Sequence, residues 1–154
     1  MEPYKYRSNF ICIDTTNQIY EAYILRVGKI NPYTNICYQA SVINKALNEY
    51  LVKIYDHTAY GGIVDTDMLI NNKITDASHK IVDMNISGNK LYVGIKLLNN
   101  HLGSIIKSLY DNDITLVPIL SMSVVDNFKV NTINFPKDIT IDSVNIGIET
   151  QNAH

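Results

Sequence analysis

Tryptophan is absent from this sequence of 154 residues, and proline and cysteine are scarce, with four and two copies. With 46% hydrophobic and 18% charged residues, the composition is typical of a globular chain and not of a disordered one. Cys12 and Cys37 each stand alone, without a CxxC pair or a histidine at ligand spacing. We expect buried or half-buried free thiols, with a disulfide or a reactive thiol as the alternatives.

Long apolar runs and clusters of positive charge are also missing. No run approaches the roughly 18 apolar residues that a membrane span needs, and no apolar h-region follows Lys5 and Arg7 to make a secretory signal. The basic residues are scattered singly and the formal net charge is −2, so there is no basic footprint for nucleic acid. We expect one soluble domain over residues 1–154, with neither a membrane nor nucleic acid as partner.

Residues that could hold a metal or cofactor are sparse as well. No two histidines have zinc-ligand spacing, and Asp65, Asp67 and Asp76 do not follow the calcium-loop pattern. The pair Gly61 and Gly62 is too little to indicate a phosphate-binding loop. We therefore expect no metal site and no cofactor.

What the sequence does contain is a regular succession of strand and helix patterns. Two helices are expected from apolar spacing of three and four residues, and the strands from β-branched runs and alternation. The predicted order is a hairpin from strands 11–14 and 19–27, a loop over 28–35, a helix over 41–55, a polar segment to residue 76, a hairpin over 79–98, a helix over 102–110, and strands 114–125, 128–133 and 139–148.

Strands outnumber helices in this order, and hairpins join several of them. The sequence therefore predicts an α+β fold, a mainly antiparallel, barrel-like sheet with two helices packed outside it. Pro118 lies within strand 114–125 and cannot donate a ladder hydrogen bond. We expect this strand to be an edge at that point, or bulged or bent just before Ser121.

Residues 119–125, ILSMSVV, place Ser121 inside an apolar strand. Neither a GxSxG elbow nor an SxxK motif surrounds it, and by periodicity it is an ordinary strand serine. His79 is the one histidine at the start of a predicted strand, on the same face as Ile81. It is either a hydrogen-bonded structural residue or a base, and serine catalysis needs a base within hydrogen-bond reach.

The ordered motifs resemble a known family. They are a tyrosine loop and helix (ICYQASVINKALNEYL), a glycine turn (YGGIVDTD), a Ser-His hairpin (ASHKIVDMNISGNKLYVGIKLL), a glycine-started helix (HLGSIIKSLYDND), a proline strand (ITLVPILSMSV) and a closing strand (ITIDSVNI). This series is similar to the prohead, or head-maturation, serine proteases of T-even-like tailed phages, relatives in fold of the herpesvirus assemblins. The resemblance covers roughly residues 20–148.

The resemblance implies a catalytic serine at Ser121, but the residues around it depart from the family pattern. Thr66 stands where the family has its catalytic histidine, and an arginine and both glycines are missing around Ser121. In the tyrosine loop Tyr38 is kept, while Ile36 and Gln39 replace an arginine and a proline. A threonine hydroxyl cannot act as a base near neutral pH, and losing the glycines puts the oxyanion-hole backbone in doubt.

Three hypotheses follow. The first is a catalytically silent relative that serves as a structural or assembly component of a virion or prohead, binding capsid, scaffold or other virion proteins, or itself, and present in the host cytoplasm during assembly. Its candidate contact surfaces are the edge near Pro118 and the tyrosine-rich N-terminal segment. The second is an active protease in which His79, oriented by a carboxylate such as Asp142, serves Ser121. The third is an unrelated small binding domain.

Overall fold

The computed structural model describes residues 10–65 and 77–148. Thr66, Asp67 and Asp76, which bear on the predicted site, lie outside the described residues. The elements are β1 Ile11–Asp14, β2 Ile19–Arg26, β3 Ile30–Asn31, β4 Ile36–Cys37, α1 Ala40–Tyr55, β5 Tyr60–Gly61, β6 Ile63–Asp65, β7 His79–Ser87, β8 Lys90–Leu97, α2 His101–Asp111, β9 Leu116–Val130 and β10 Ile133–Ile148.

The strands form two five-stranded sheets. The first has the order β1-β2-β8-β7-β5 and is antiparallel throughout. The second has the order β3-β4-β10-β6, with β9 on β10, and β10 is antiparallel to β9 but parallel to β4 and β6. The predicted α+β class with a mainly antiparallel sheet is confirmed. The described strands do not close into a barrel, however, because each sheet keeps its own edges.

Helix α1 confirms the predicted helix to within one residue. Its buried side chains recur every three or four residues and so share one face: Ile43, Ala46, Leu47, Tyr50 and Ile54. This face packs on β10 and β7, one strand from each sheet, and so fills the core between the sheets. The helix ends at Tyr55, and His57 then takes a left-handed backbone conformation with φ 59°.

Helix α2 is likewise where the sequence predicted it. The side chain of Asn100 caps it by accepting a hydrogen bond from the Gly103 backbone N–H at 2.8 Å. Gly103 is needed because a Cβ there would overlap the carbonyl of Leu98. Ile106 is fully buried, and the helix packs next to β8. Among the described helices none is long and apolar enough to cross a membrane.

Strands β9 and β10 correct the prediction for residues 114–148. Instead of three strands, two long ones form a single hairpin that turns after Val130. Residues 126–127 continue the strand because Asp126 pairs with Asp138 across the hairpin. The turn uses Asn131 at φ 59°, a conformation that asparagine tolerates well. No described strand other than β10 pairs with β9, which confirms the edge predicted at Pro118.

Candidate functional site

The two sheets meet where β5 and the start of β7 approach β10. Gly61 pairs with His79 within the first sheet, and the neighbouring Gly62 carbonyl accepts a hydrogen bond of 3.0 Å from the Ile146 N–H of β10. Asn145 strengthens this seam, since its Oδ1 accepts from the Gly62 N–H at 3.1 Å. The seam is therefore a set of buried polar contacts between sheets that otherwise touch through apolar side chains.

His79 lies at the centre of this seam with 0% of its surface exposed, as does its neighbour Ser78. Its Nε2 is 2.8 Å from the carbonyl oxygen of Val144, and its Nδ1 is 2.8 Å from the hydroxyl of Ser78. A carbonyl can only accept, so Nε2 carries the proton and donates it to Val144. Nδ1 consequently has the lone pair and accepts from the Ser78 hydroxyl.

Burial also determines the charge of this imidazole. Desolvation lowers the pKa of His79 to about 4 from an ordinary value of 6.5, although the hydrogen bond to the Val144 carbonyl acts in the opposite direction. The ring is therefore neutral at pH 7. Its lone pair accepts from the hydroxyl of Ser78, which is itself fully buried, so both side chains of the Ser78–His79 pair lie inside the fold.

Gly61 permits this close arrangement. A Cβ at this position would overlap the Val144 carbonyl oxygen and the Nε2 of His79, and would lie 2.9 Å from Cε1. Any other residue would push β5 away from the ring and from β10. Gly61, the first glycine of the predicted glycine turn, is thus explained by packing against His79 and Val144.

Ser121 lies on β9, half-buried, and its backbone partner across the hairpin is Ser143 of β10. Within the described residues the Ser121 hydroxyl has no hydrogen-bond partner, and Nε2 of His79 reaches Val144 instead. The structure therefore brings His79 to the strand that neighbours Ser121 but gives its ring other partners. The catalytic role of Ser121 and His79 stays a prediction.

A shallow pocket of about 250 Å³ opens beside this strand. Its lining residues are Tyr60, Gly61, Ala77, Ser143 and Asn145. The Ser143 hydroxyl accepts a hydrogen bond of 3.2 Å from the Asn145 amide. These described lining residues are thus neutral, and none of them is an imidazole or a carboxylate.

Asp142, the predicted orienting carboxylate, serves a different group. It accepts a hydrogen bond of 2.7 Å from Ser123 on the exposed side of the hairpin. The two ring nitrogens of His79 already have Ser78 and Val144 as partners. The structure thus shows Asp142 engaged with another serine, and it gives no contact between Asp142 and His79.

The described part of the chain before Thr66 ends at Asp65, the last residue of β6. Asp65 pairs with Ile148, whereas Ser121 pairs with Ser143. The interval from Ser143 to Ile148 corresponds to about 16 Å of strand. Because β6 runs parallel to β10, it heads away from Ser143 where the described residues stop.

The other histidines within residues 10–65 and 77–148, and the cysteines, do not extend the site; His154 lies outside the described residues. His57 and His101 are exposed, one after α1 and the other at the start of α2. Cys12 is half-buried, Cys37 is buried and both are free, as predicted. Over residues 10–65 and 77–148, no group of three or more His, Cys, Asp or Glu residues could hold a metal ion.

Sequence reasoning identified the Ser-His dipeptide but not its partners. The carbonyl of Val144 and the amide of Asn145 complete the seam, and neither has a local sequence pattern that marks it. The dipeptide itself was the one available indication. The orientation of the imidazole ring, and therefore the hydroxyl that it faces, depends on a long-range contact between β7 and β10.

Comparison with known proteins gives one informative result. No protein-family model and no curated protein sequence matches this chain. Among solved structures, the chain is similar to the bacteriophage T4 capsid assembly protease, gp21, with a TM-score of 0.68 and 15% sequence identity. The match covers 86% of this chain and 82% of the T4 protein. At this identity the likeness shows a shared fold, the prohead-protease-like fold that the motif order implied.

Proposed function

We propose that this chain is a phage head-assembly component that keeps the capsid-protease fold without cleaving protein. The observation that carries the proposal is the state of His79. Its lone pair faces the buried hydroxyl of Ser78, and its proton is donated to the Val144 carbonyl. A base that is occupied on both sides cannot take a proton from Ser121.

Rotating the ring toward Ser121 would be costly. It would leave the buried Val144 carbonyl without a donor and Ser78 without its acceptor. Each such unsatisfied group costs about 1–3 kcal/mol. An active site that required this rearrangement in every turnover would lose much of the rate that a preorganised base provides. This supports the silent hypothesis over the displaced-base hypothesis.

The sequence departures agree with this assignment. Thr66 at the family's histidine position cannot serve as a base, and the glycines that shape the family's serine turn are absent around Ser121. In the structure Ser121 lies on β9 and pairs with Ser143 of β10, next to a register shift between Ile141 and Ser143. β9 is extended at this position, so the residues around Ser121 do not form a turn that could bind an oxyanion.

The partner class follows from the fold. A chain shaped like a capsid assembly protease is expected to meet capsid or scaffold protein inside the prohead, and we propose those proteins as its partners. Its localisation would be the prohead or virion, reached from the host cytoplasm during assembly. The protein would contribute binding alone.

One experiment tests both halves of the proposal. The purified protein is incubated with capsid and scaffold proteins from the same phage genome, and the mixture is assayed for cleavage and for co-sedimentation with assembled particles. We expect intact partners and co-sedimentation. Cleavage that disappears with Ser121→Ala but persists with the neighbouring Ser123→Ala would overturn the silent assignment. A protein that stays in the supernatant would overturn the assembly role.

A further inference from the structure

The outer end of the β9–β10 hairpin exposes apolar side chains that the fold does not need. Four residues of β9 are large, apolar and exposed, Val124 at 43%, Val125 at 75%, Phe128 at 39% and Val130 at 51%. Single exposed apolar residues are ordinary, but a contiguous group marks a binding surface. This group lies within one stretch of seven residues.

Two of these residues, Phe128 and Val130, share one face of the hairpin with residues of β10. Phe128 pairs with Phe135 and Val130 pairs with Ile133, so these four side chains share one face. The two phenylalanine rings are stacked, with centroids 5.1 Å apart and planes 14° from parallel. We call this set the hairpin face. Stacking restricts the rotamers of the two rings before a partner binds, which lowers the entropy lost on binding.

The same segment offers an open strand edge. Within residues 10–65 and 77–148, β9 pairs with β10 on one side and with no strand on the other. Pro118 is the one proline in β9 and lies at the far end from the hairpin face. The edge beside Phe128 therefore has no proline to block pairing, and unpaired edges are templates for another strand.

Charge indicates which partner fits. The outer hairpin carries two acidic and two basic residues, namely Asp126, Asp138, Lys129 and Lys137. Asp126 and Lys137 form an ion pair of 3.3 Å. A surface with balanced charge does not select a strongly acidic or basic partner. It does suit a second copy of itself, and a chain with a net charge of −2 repels its own copies little.

The alternation of side chains restricts how two copies could pair. In an antiparallel dimer the two-fold axis is perpendicular to the sheet and keeps each side chain on its face, so the axis must pass through a residue. An axis through Asp126 or Lys129 would place like charges directly opposite one another, which is destabilising. An axis through Asn127 would pair Lys129 with Val125, where a register shift already distorts the strand.

We propose that two copies associate through antiparallel pairing of their β9 edges, with Phe128 of both chains on the two-fold axis. Lys129 then lies opposite Asn127 of the second copy, and Asp126 lies opposite Val130. The aromatic row Phe135–Phe128 continues into its symmetry mate across the dimer. The second sheet becomes continuous through both chains, and the paired segment runs from Asp126 to Val130 of each copy.

Sedimentation equilibrium tests the association. The full-length protein should be dimeric at micromolar to tens of micromolar concentration, and Phe128→Asp should raise the dimer dissociation constant by about tenfold or more, since the change occurs twice in the dimer. Val52→Asp, at an exposed apolar position on α1, is the control and should not change it. A monomer at all concentrations, or a dimer that only Val52→Asp weakens, would overturn the proposal.

Disulfide trapping tests the register without depending on a destabilising charge. Paired Cα atoms are about 4.5–5.5 Å apart in an antiparallel ladder, within disulfide range. In a Cys12→Ser background, Phe128→Cys should form a dimer on mild oxidation. Asn127→Cys and Lys129→Cys should each form no disulfide-linked dimer alone but should cross-link when mixed. Self-coupling of Asn127→Cys, or no coupling in any arm, would contradict the pairing.

Discussion

Two serines near β10 occupy opposite environments. Ser78 is fully buried and its hydroxyl is 2.8 Å from the lone pair of an imidazole, while Ser121 is half-buried with no hydrogen-bond partner among the described residues. The histidine that could activate a nucleophile thus faces the serine that no substrate can reach. A Ser-His contact is therefore not catalytic by itself. Its role also depends on whether a substrate can reach the serine and on the partner of the second ring nitrogen.

The largest effect should come from removing the ring that joins the two sheets. His79→Ala should lower the free energy of unfolding by about 3–5 kcal/mol, because it leaves a cavity and two unsatisfied buried groups. Urea unfolding measures this. His101→Ala, at an exposed position, should stay within about 0.5 kcal/mol of the parent. Equal losses in the two variants would remove the structural role assigned to His79.

Gly61→Ala should also destabilise the contact between the two sheets, in this case from β5. The new methyl group would meet a backbone carbonyl and the imidazole, neither of which can move freely, and the expected cost is about 2–3 kcal/mol. Gly94→Ala is the matched control, because the nearest atom to its new Cβ is 3.3 Å away on a side chain. If both substitutions cost the same in urea unfolding, the close approach at Gly61 is not a constraint.

Lowering the pH should reduce the free energy of unfolding before most carboxylates are protonated. The folded-state pKa of His79 is about 4, below the ordinary value of 6.5 that applies when the chain is unfolded. The unfolded state therefore binds more protons, so the stability that depends on the neutral ring is complete above pH 6.5 and is lost as the pH falls toward 4. Between pH 7 and pH 5 we expect a loss of about 2 kcal/mol.

Unfolding in urea at the two pH values measures this loss. The variant His79→Asn has no titrating ring and should show little difference between pH 7 and pH 5. A parent protein that keeps its full stability at pH 5 would show that the ring is not desolvated in the way the structure indicates.

The smallest expected changes in the free energy of unfolding come from alanine substitutions at the two serines. Ser78→Ala should cost about 1–2 kcal/mol because Nδ1 of the buried ring loses its donor. Ser121→Ala should change the free energy of unfolding by no more than about 0.5 kcal/mol. Thermal or urea unfolding of the two alanine variants, measured side by side, checks this order. The reverse order would mean that Ser121 makes contacts more important than those of Ser78.

Local patterns predicted most elements of the fold. The apolar spacing in α1 and the alternation in β8 each encode one buried face, so a single sequence suffices to find them. The long hairpin was missed because Asp126 and Asn127 are typical turn residues, and only pairing with β10 keeps them in a strand. The left-handed Asn131 is the residue that could have indicated the true turn.

The site was less predictable than the fold. Ser121 and His79 could be named from motif order, but the proton on Nε2 follows from the Val144 carbonyl, a contact across 65 residues of sequence. Likewise, the hydroxyl that faces Nδ1 depends on the rotation of a buried ring. Such features are set by packing between sheets, and no local periodicity reports them.

Reaction with a fluorophosphonate, which phosphonylates activated serines with loss of fluoride and does not need the natural substrate, tests the central claim most directly. The protein and its Ser121→Ala variant would be treated at pH 7–8, with an active serine protease as a positive control, and examined by intact mass and peptide mapping. The account predicts no adduct on Ser121, since no base takes its proton. A stoichiometric adduct at Ser121, absent from Ser121→Ala, would contradict it.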